Sequence, residues 1–288
     1  MQSAFLPERG VVKLTGDDAA KFLQGLVTCD LETIAPGTAG FGALLTPQGK
    51  IIADFLIIKA PASAGGGLFL DMPRALTADL VKKLGFYKLR AKVMIEDLSA
   101  SLGVTAAWTT DAAPEGELVA RDPRHSALGW RVIGPLPAVA GAEARAAAYQ
   151  AHRIGLGIPE GGKDFAYGDA FPHEVDMDQL AGVAFDKGCF IGQEVVSRMQ
   201  HRGTARTRVV PVRFDGPAPE AGLDVTAGDK LIGQMGSAAG GHGLAKLRLD
   251  RIEDALAAGQ AITAGGTALT PVKPDWARFA WPGEVVRA

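Results

Sequence analysis

The stretch Lys187-Gly188-Cys189-Phe190-Ile191-Gly192-Gln193-Glu194-Val195-Val196-Ser197-Arg198 carries most of the information in this chain of 288 residues. It holds one of only two cysteines, which stands between two glycines and two residues after a lysine. The glycines indicate a tight backbone that can turn or approach a ligand closely. A helix is predicted to follow, because the valines and Met199 form an apolar stripe.

Cys189 is a candidate reactive cysteine or metal ligand. The positive end of the predicted helix and the charge of Lys187 both favour a thiolate over a thiol. The alternative is a buried structural cysteine, since free cysteine is among the most buried residue types. The residues alone leave both interpretations open.

The same stretch, continued by Arg202-Gly203, closely resembles the signature of the YgfZ family. These folate-binding proteins are related to the T-protein, the aminomethyltransferase of the glycine cleavage system. The family has a mitochondrial branch and is implicated in assembling or repairing iron–sulfur clusters. The resemblance extends over nearly the whole chain and implies an α+β fold. Residues 1–205 would form a T-protein-like folate-binding region of two intertwined α/β lobes, and residues 206–288 a small β-barrel. Short strands with glycine turns after residue 205 also favour a barrel.

The resemblance implies a set of functional residues. Cys189 and Lys187 would form the reactive site, with Cys189 as a possible ligand of an iron–sulfur cluster shared with another chain. Tetrahydrofolate, or a one-carbon derivative of it, would be bound by a second group: Asp54, Gln193, Glu194 and Arg198.

Asp54 also stands out on its own. It interrupts the apolar run 51–58, the second strand of a predicted β-hairpin whose turn is Thr46–Lys50. A carboxylate inside an apolar strand is costly unless it has a partner or a function, and Asp54 falls at the position of a T-protein aspartate that contacts folate. The alternative is an edge-strand aspartate that faces water. Without ligand, Asp54→Asn is expected to have a small or favourable effect on stability, because it removes a buried charge.

Composition and cysteine usage limit the classes of partner and compartment. A net charge of −2 gives no field that attracts nucleic acid or a membrane, so direct nucleic-acid binding is not expected. Two cysteines without a Cys-x-x-Cys or His-x-x-x-His pattern cannot hold a four-cysteine cluster, so a cluster would need a second chain or non-protein ligands. Cys29, with apolar neighbours, is interpreted as structural. The absence of a signal peptide at residues 1–8 predicts a cytoplasmic location.

Two further segments have an open role. Phe86–Ile95 is predicted as a strand after a helix that ends at Gly85, with Lys88, Arg90 and Lys92 on one face. That face could meet an anionic folate tail, or it is simply solvated. His173, after a proline, is a candidate base or ligand beside Cys189, or an ordinary loop residue.

Three functions remain open on the sequence. The first is a folate-binding accessory factor for assembly or repair of iron–sulfur clusters in client enzymes, including radical tRNA-modifying enzymes. The second is a tetrahydrofolate-dependent aminomethyltransferase or demethylase, and the third a binding module in which Cys189 has no reactive role. T-proteins lack the cysteine motif and carry Gly-Tyr-Thr-Gly-Glu where this chain has residues 126–130. An accessory factor is therefore favoured over an enzyme. Its expected partners are folate and iron–sulfur client or assembly proteins, with a cluster bound transiently and no membrane.

Overall fold

The computed structural model describes residues 1–136, 142–203 and 205–283, in two compact units. The first unit comprises residues 1–149 and 180–195, and the second residues 150–179 and 196–288. The predicted α+β class with a C-terminal barrel is confirmed. The division into domains at residues 205 and 206 stays a prediction, and residues 284–288 of the predicted second domain lie outside the described residues.

In its described residues, the first unit contains two antiparallel sheets and two complete α-helices. Its strands are β1 (Gln2–Phe5), β2 (Arg9–Thr15), β3 (Ala39–Leu45), β4 (Ile51–Lys59), β5 (Leu68–Pro73), β6 (Met94–Asp97), β7 (Leu102–Trp108), β8 (Leu118–Arg121) and β9 (Trp130–Pro135), and its helices are α1 (Ala19–Gln24) and α2 (Thr77–Lys88). One sheet has the order β3-β4-β5-β2-β6 and the other β1-β7-β9-β8.

The five-stranded sheet has two faces of different character. Side chains alternate along a strand, so Phe55 and Ile57 face a core that includes Leu23 of α1 and Leu84 of α2. Asp54 faces the opposite side. The predicted hairpin is confirmed as β3 and β4, with Ala43 opposite Asp54. Because β4 lies between β3 and β5, the alternative of a water-facing edge aspartate is excluded.

Helix α2 is longer than the sequence pattern indicates. It continues through Gly85 to Lys88, and the next strand begins only at Met94, so the predicted strand over residues 86–95 is wrong for most of its length. A Cβ at Gly85 would meet no atom within 4 Å, and the glycine is exposed. An exposed glycine is tolerated inside a helix and need not end it.

The second unit is built on a closed six-stranded barrel in the order β10-β13-β12-β11-β14-β15. The strands are β10 (Thr207–Arg213), β11 (Asp224–Ala227), β12 (Lys230–Ala239), β13 (His242–Arg248), β14 (Ile262–Ala264) and β15 (Thr267–Pro271). Val210, Leu247 and Ile252 are members of its core, the last from helix α5 (Leu249–Ala257). The remaining helices are α3 (Ala142–Gly155) and α4 (Gln193–Arg202). In the described part of the chain, no helix has the length and apolarity needed to cross a membrane.

Candidate functional site: an anchored loop that presents Cys189

The segment before the cysteine is held by Thr28, a buried residue after α1. The Thr28 hydroxyl donates to the Gly182 carbonyl oxygen at 2.6 Å and accepts from the Ala43 backbone N–H at 2.9 Å. The Thr28 carbonyl oxygen in turn accepts from the Ala184 N–H at 2.9 Å. One side chain and its peptide group therefore join the start of the motif to β3 and to the loop after α1.

Lys187 is the second anchor. Its ammonium donates to the carbonyl oxygens of Gln24, Val27 and Cys29 at 2.7, 2.8 and 2.7 Å, and it lies 5.4 Å from the centre of the Phe190 ring. Burial lowers the pKa of Lys187 below its ordinary value. An ammonium has three donors, and these three bonds use all of them. None is left for the Cys189 sulfur, so Lys187 holds the loop after α1, and its catalytic role stays a prediction.

Phe190 and Gly192 fix the chain on the other side of the cysteine. The Phe190 side chain is buried. Gly192 has a φ of +82°, and a Cβ there would stand 2.7 Å from the Thr46 carbonyl oxygen in the β3–β4 turn. A side chain would clash there, so glycine permits this close packing of the motif on the β3–β4 turn. At Gly188 a Cβ would meet no protein atom within 4 Å, and a close approach to a ligand there stays a prediction.

Cys189 stands between these anchors and is exposed, four residues before α4 begins at Gln193. Cys29 is the opposite case, because burial raises the pKa of its thiol to about 12 and keeps it protonated at neutral pH. The structural role predicted for Cys29 agrees with this burial. Cys189 is thus the thiol that a ligand from solution can reach. Among the described residues, no group of three or more His, Cys, Asp or Glu side chains could hold a metal ion.

A cleft of about 550 Å³ opens beside the Lys187 anchor. Its walls come from the loop after α1, the start of β3 and the motif, namely Cys29, Asp30, Thr33, Ile34, Thr38–Phe41, Pro123, Ala181 and Val183–Lys187. The Gln24 side chain donates to Asp30 at 2.8 Å and holds the pKa of Asp30 below its ordinary value. This volume suits a small ligand.

The four residues predicted to bind folate are not among the lining residues of this cleft. Gln193, Glu194 and Arg198 lie on α4, the first half-buried and the other two exposed. Asp54 is 6% exposed. The structure therefore does not bring these four together at the cleft, and their folate contacts stay predictions.

Asp54 belongs instead to a buried set of charges. The main partner of Arg124 in this set is Asp122, to both of whose oxygens its guanidinium donates at 3.0 and 2.7 Å. The charge of Asp122 outweighs burial and raises the pKa of Arg124, and Asp54 makes a smaller contribution in the same direction. The guanidinium also lies over the Phe41 ring at 5.5 Å. Burial alone would raise the pKa of Asp122, but Arg124 and Arg131 outweigh it and lower the pKa to about 2.

The charged set continues from one sheet of the first unit to the other. Arg131 on β9 lies 3.2 Å from Asp122 and 3.2 Å from Asp71 on β5, and it donates to the Tyr149 hydroxyl at 2.6 Å. Arg9 donates to Asp71 at 2.6 Å. Sequence analysis missed these residues, although one signal was present: Asp71 interrupts the apolar strand β5 as Asp54 interrupts β4.

His173 is in the second unit, whereas Cys189 is in the first. The imidazole is buried, its Nε2 lies 3.0 Å from the Gln200 amide oxygen, and the His173 carbonyl accepts from Arg208 at 2.7 Å. Burial lowers the pKa of His173, so the ring is neutral at physiological pH. These contacts account for a structural histidine, and a role beside Cys189 stays a prediction.

Comparison with known sequences gives the family. Residues 206–279 match the family model described as the CAF17 C-terminal beta-barrel domain. The chain is 33% identical to the mitochondrial iron–sulfur cluster assembly factor IBA57 of Mus musculus and 32% identical to that of Homo sapiens. Each match covers 96% of this chain and 84% of the relative. The chain belongs to the IBA57 family.

A fungal member, the IBA57 homologue of Mycosarcoma maydis, is 36% identical over 230 residues, which are 73% of this chain and 57% of the relative. The chain thus spans a little over half the length of that relative. Among solved structures, the glycine cleavage system aminomethyltransferase T from Bartonella henselae superposes with a TM-score of 0.70 at 13% identity, over 97% of this chain and 87% of that one. This likeness shows the fold. The YgfZ resemblance and the T-protein-like fold are both confirmed.

The predicted cytoplasmic location is wrong. The IBA57 relatives from mouse, human and fungi are all named mitochondrial. The prediction relied on the absence of a signal peptide at residues 1–8 and on two cysteines without a disulfide framework. Such cysteine usage indicates a reducing compartment without distinguishing one such compartment from another.

Proposed function

We propose that this protein assists the assembly or repair of iron–sulfur clusters in client enzymes, with Cys189 supplying one sulfur ligand to a cluster shared with a second protein. The IBA57 relatives are named iron–sulfur cluster assembly factors, which supports the class of function. The cluster is cargo in this proposal. Its clients would include radical tRNA-modifying enzymes.

One observation carries the role of Cys189. The motif is anchored on both sides of it, by the three bonds of Lys187 and by the Gly192 contact with the β3–β4 turn, yet Cys189 itself is exposed. A fixed, accessible thiol can contribute one ligand, while clusters of this kind need about four. The other ligands would come from the partner.

The test compares the two cysteines in cells that lack the protein. The readout is the activity of iron–sulfur enzymes, among them radical tRNA-modifying enzymes, after complementation with each variant. Cys189→Ala is expected to fold and to fail, whereas Cys29→Ala is the matched control and is expected to restore activity. Cys189→Ala should lower the free energy of unfolding by about 1 kcal/mol or less, because the site is exposed. Cys29→Ala should lower it somewhat more, because the site is buried. Full complementation by Cys189→Ala would refute the role.

Folate is the second element of the proposal, and the 550 Å³ cleft fits it in volume. Asp30 and Asp186 in its lining offer carboxylates that could accept from the N–H edge of a pterin. Asp54 is buried and does not line this cleft, so its folate contact stays a prediction. Calorimetric titration with tetrahydrofolate should show weaker binding for Asp186→Ala than for the wild type. Equal affinities would place any folate elsewhere.

The alternative of tetrahydrofolate-dependent aminomethyl transfer or demethylation rests on the fold alone. A structural likeness to an aminomethyltransferase at 13% identity indicates a shared fold but not a shared activity. The accessory role is the better supported of the two.

A further inference from the structure

The end of α2 and the residues after it form a surface that the proposed function does not use. We call it the basic–apolar patch: Lys82, Lys83, Phe86, Leu89, Arg90 and Met94. Phe86, Leu89 and Met94 are 70%, 89% and 55% exposed. Single exposed apolar side chains are ordinary, but three large ones within nine residues mark an interaction surface.

The charge of this segment is one-sided. Residues 79–95 contain five basic residues and one acidic residue, Asp79, while the whole chain carries a net charge of −2. Lys82 and Arg90 are exposed, and Lys83 is half-buried. A concentrated positive surface on a weakly acidic protein selects an acidic partner and speeds its encounter.

A groove of about 350 Å³ runs along the same helix face. Apolar side chains line it, among them Ile52, Leu76, Leu80 and Phe86. Asp79, Lys82 and Lys83 also border it, so its charged lining is basic by one charge. A concave apolar groove accepts a side chain inserted by a partner, as in the docking of an amphipathic segment. A bilayer surface takes up protruding side chains and offers nothing to fill a groove.

Leu89 supports an intermolecular role. Its φ of +45° lies in the left-handed region that glycine adopts more readily than leucine. The side chain is nonetheless leucine and is the most exposed large apolar residue among those described. Neither helix termination nor internal packing requires leucine there, whereas contact with a partner accounts for it.

We propose that the basic–apolar patch docks an acidic, amphipathic segment of a partner protein. One apolar side chain of that segment enters the groove, Leu89 packs against a neighbouring one, and carboxylates lie opposite Lys82, Lys83 and Arg90. This inference does not depend on Cys189 or on a cluster.

The test uses a fluorescein-labelled synthetic helix with leucines on one face and glutamates on the other. We compare the full-length wild type with the double variant Lys82→Glu/Lys83→Glu and with Leu89→Gly. Each is expected to bind the peptide about tenfold more weakly, equivalent to about 1.4 kcal/mol, and Leu89→Gly should unfold at the same or a higher temperature. Binding to the wild type should weaken with added salt.

Matched controls define the site. Leu231→Ser removes an exposed leucine of the barrel, and Lys21→Glu reverses an exposed lysine on α1. Both should bind like the wild type. Mixed phosphatidylcholine–phosphatidylserine vesicles are tested in parallel, together with a peptide whose leucines are replaced by serine. The proposal is overturned if the vesicles bind and the peptide does not, if the serine peptide binds equally well, or if the patch variants bind like the wild type.

Discussion

Replacing Lys187 with methionine distinguishes two roles of this lysine: an anchor of the loop after α1, or an activator of the Cys189 thiol. The change keeps an unbranched apolar side chain and deletes the ammonium that bonds the carbonyls of Gln24, Val27 and Cys29. The bonds to Val27 and Cys29 are buried, and a buried acceptor left without a donor costs about 1–3 kcal/mol. Burial lowers the pKa of Lys187, which means that keeping its ammonium charged inside the protein is costly. Methionine removes this cost and so offsets part of the loss.

We therefore expect Lys187→Met to lower the free energy of unfolding by about 3 kcal/mol. For a chain of this size, that loss lowers the melting temperature by about 6–12 °C. The assay is thermal and urea-induced unfolding followed by circular dichroism. The matched control is Lys21→Met at an exposed position of α1, which should change stability by less than about 0.5 kcal/mol.

A second readout tests the competing role. Alkylation of Cys189 by iodoacetamide at neutral pH, in conditions where the protein stays folded, should proceed at the wild-type rate within about twofold in Lys187→Met. If Lys187 instead activates the thiol, alkylation would slow strongly while the melting temperature stayed unchanged. That result would refute the anchor assigned to Lys187.

The tight contact of Gly192 and the buried carboxylates of the first unit provide three further predictions. Gly192→Ala should lose about 1–2 kcal/mol in urea unfolding because of its positive φ and the Thr46 carbonyl, while Gly188→Ala should be neutral; equal effects would contradict the packing of the turn. Asp122→Asn should lower stability by about 2 kcal/mol at neutral pH, since the folded pKa of about 2 lies below the unfolded value of 3.8. The stability contributed by the ionised Asp122 is present above pH 3.8 and is lost as the pH falls through about 2. The free energies of unfolding of the wild type and the variant, measured against pH, should therefore become equal in acid. Asp54→Asn should have a small or favourable effect on stability without ligand, because it removes a buried charge; a clear loss of stability in urea unfolding would show that the folded protein uses the charge of Asp54 internally.

Local sequence patterns were sufficient for part of the fold and for the family. The hairpin of β3 and β4 and the C-terminal barrel follow from apolar runs and glycine turns. The cysteine motif identified the family because it is long and specific. These signals lie within short stretches, where neighbours in the chain are also neighbours in space.

The α2 boundary shows where such patterns fail. Gly85 and the alternating basic residues after it indicated a helix end and a strand, but the helix continues to Lys88. A glycine ends a helix only when the backbone turns at it, and packing of Leu80 and Leu84 against the core keeps the helix in register past it.

The partners of the charged side chains were decided by the tertiary structure alone. Lys187 bonds carbonyls about 160 positions away in the sequence, and Asp71 on β5 pairs with Arg9 on β2 and Arg131 on β9. The sequence determined that Lys187 and Asp54 are unusual, because each is a charge in an unusual setting. Which group compensates such a charge depends on which strands pair and which sheets pack together, and that is a property of the folded chain rather than of any local pattern.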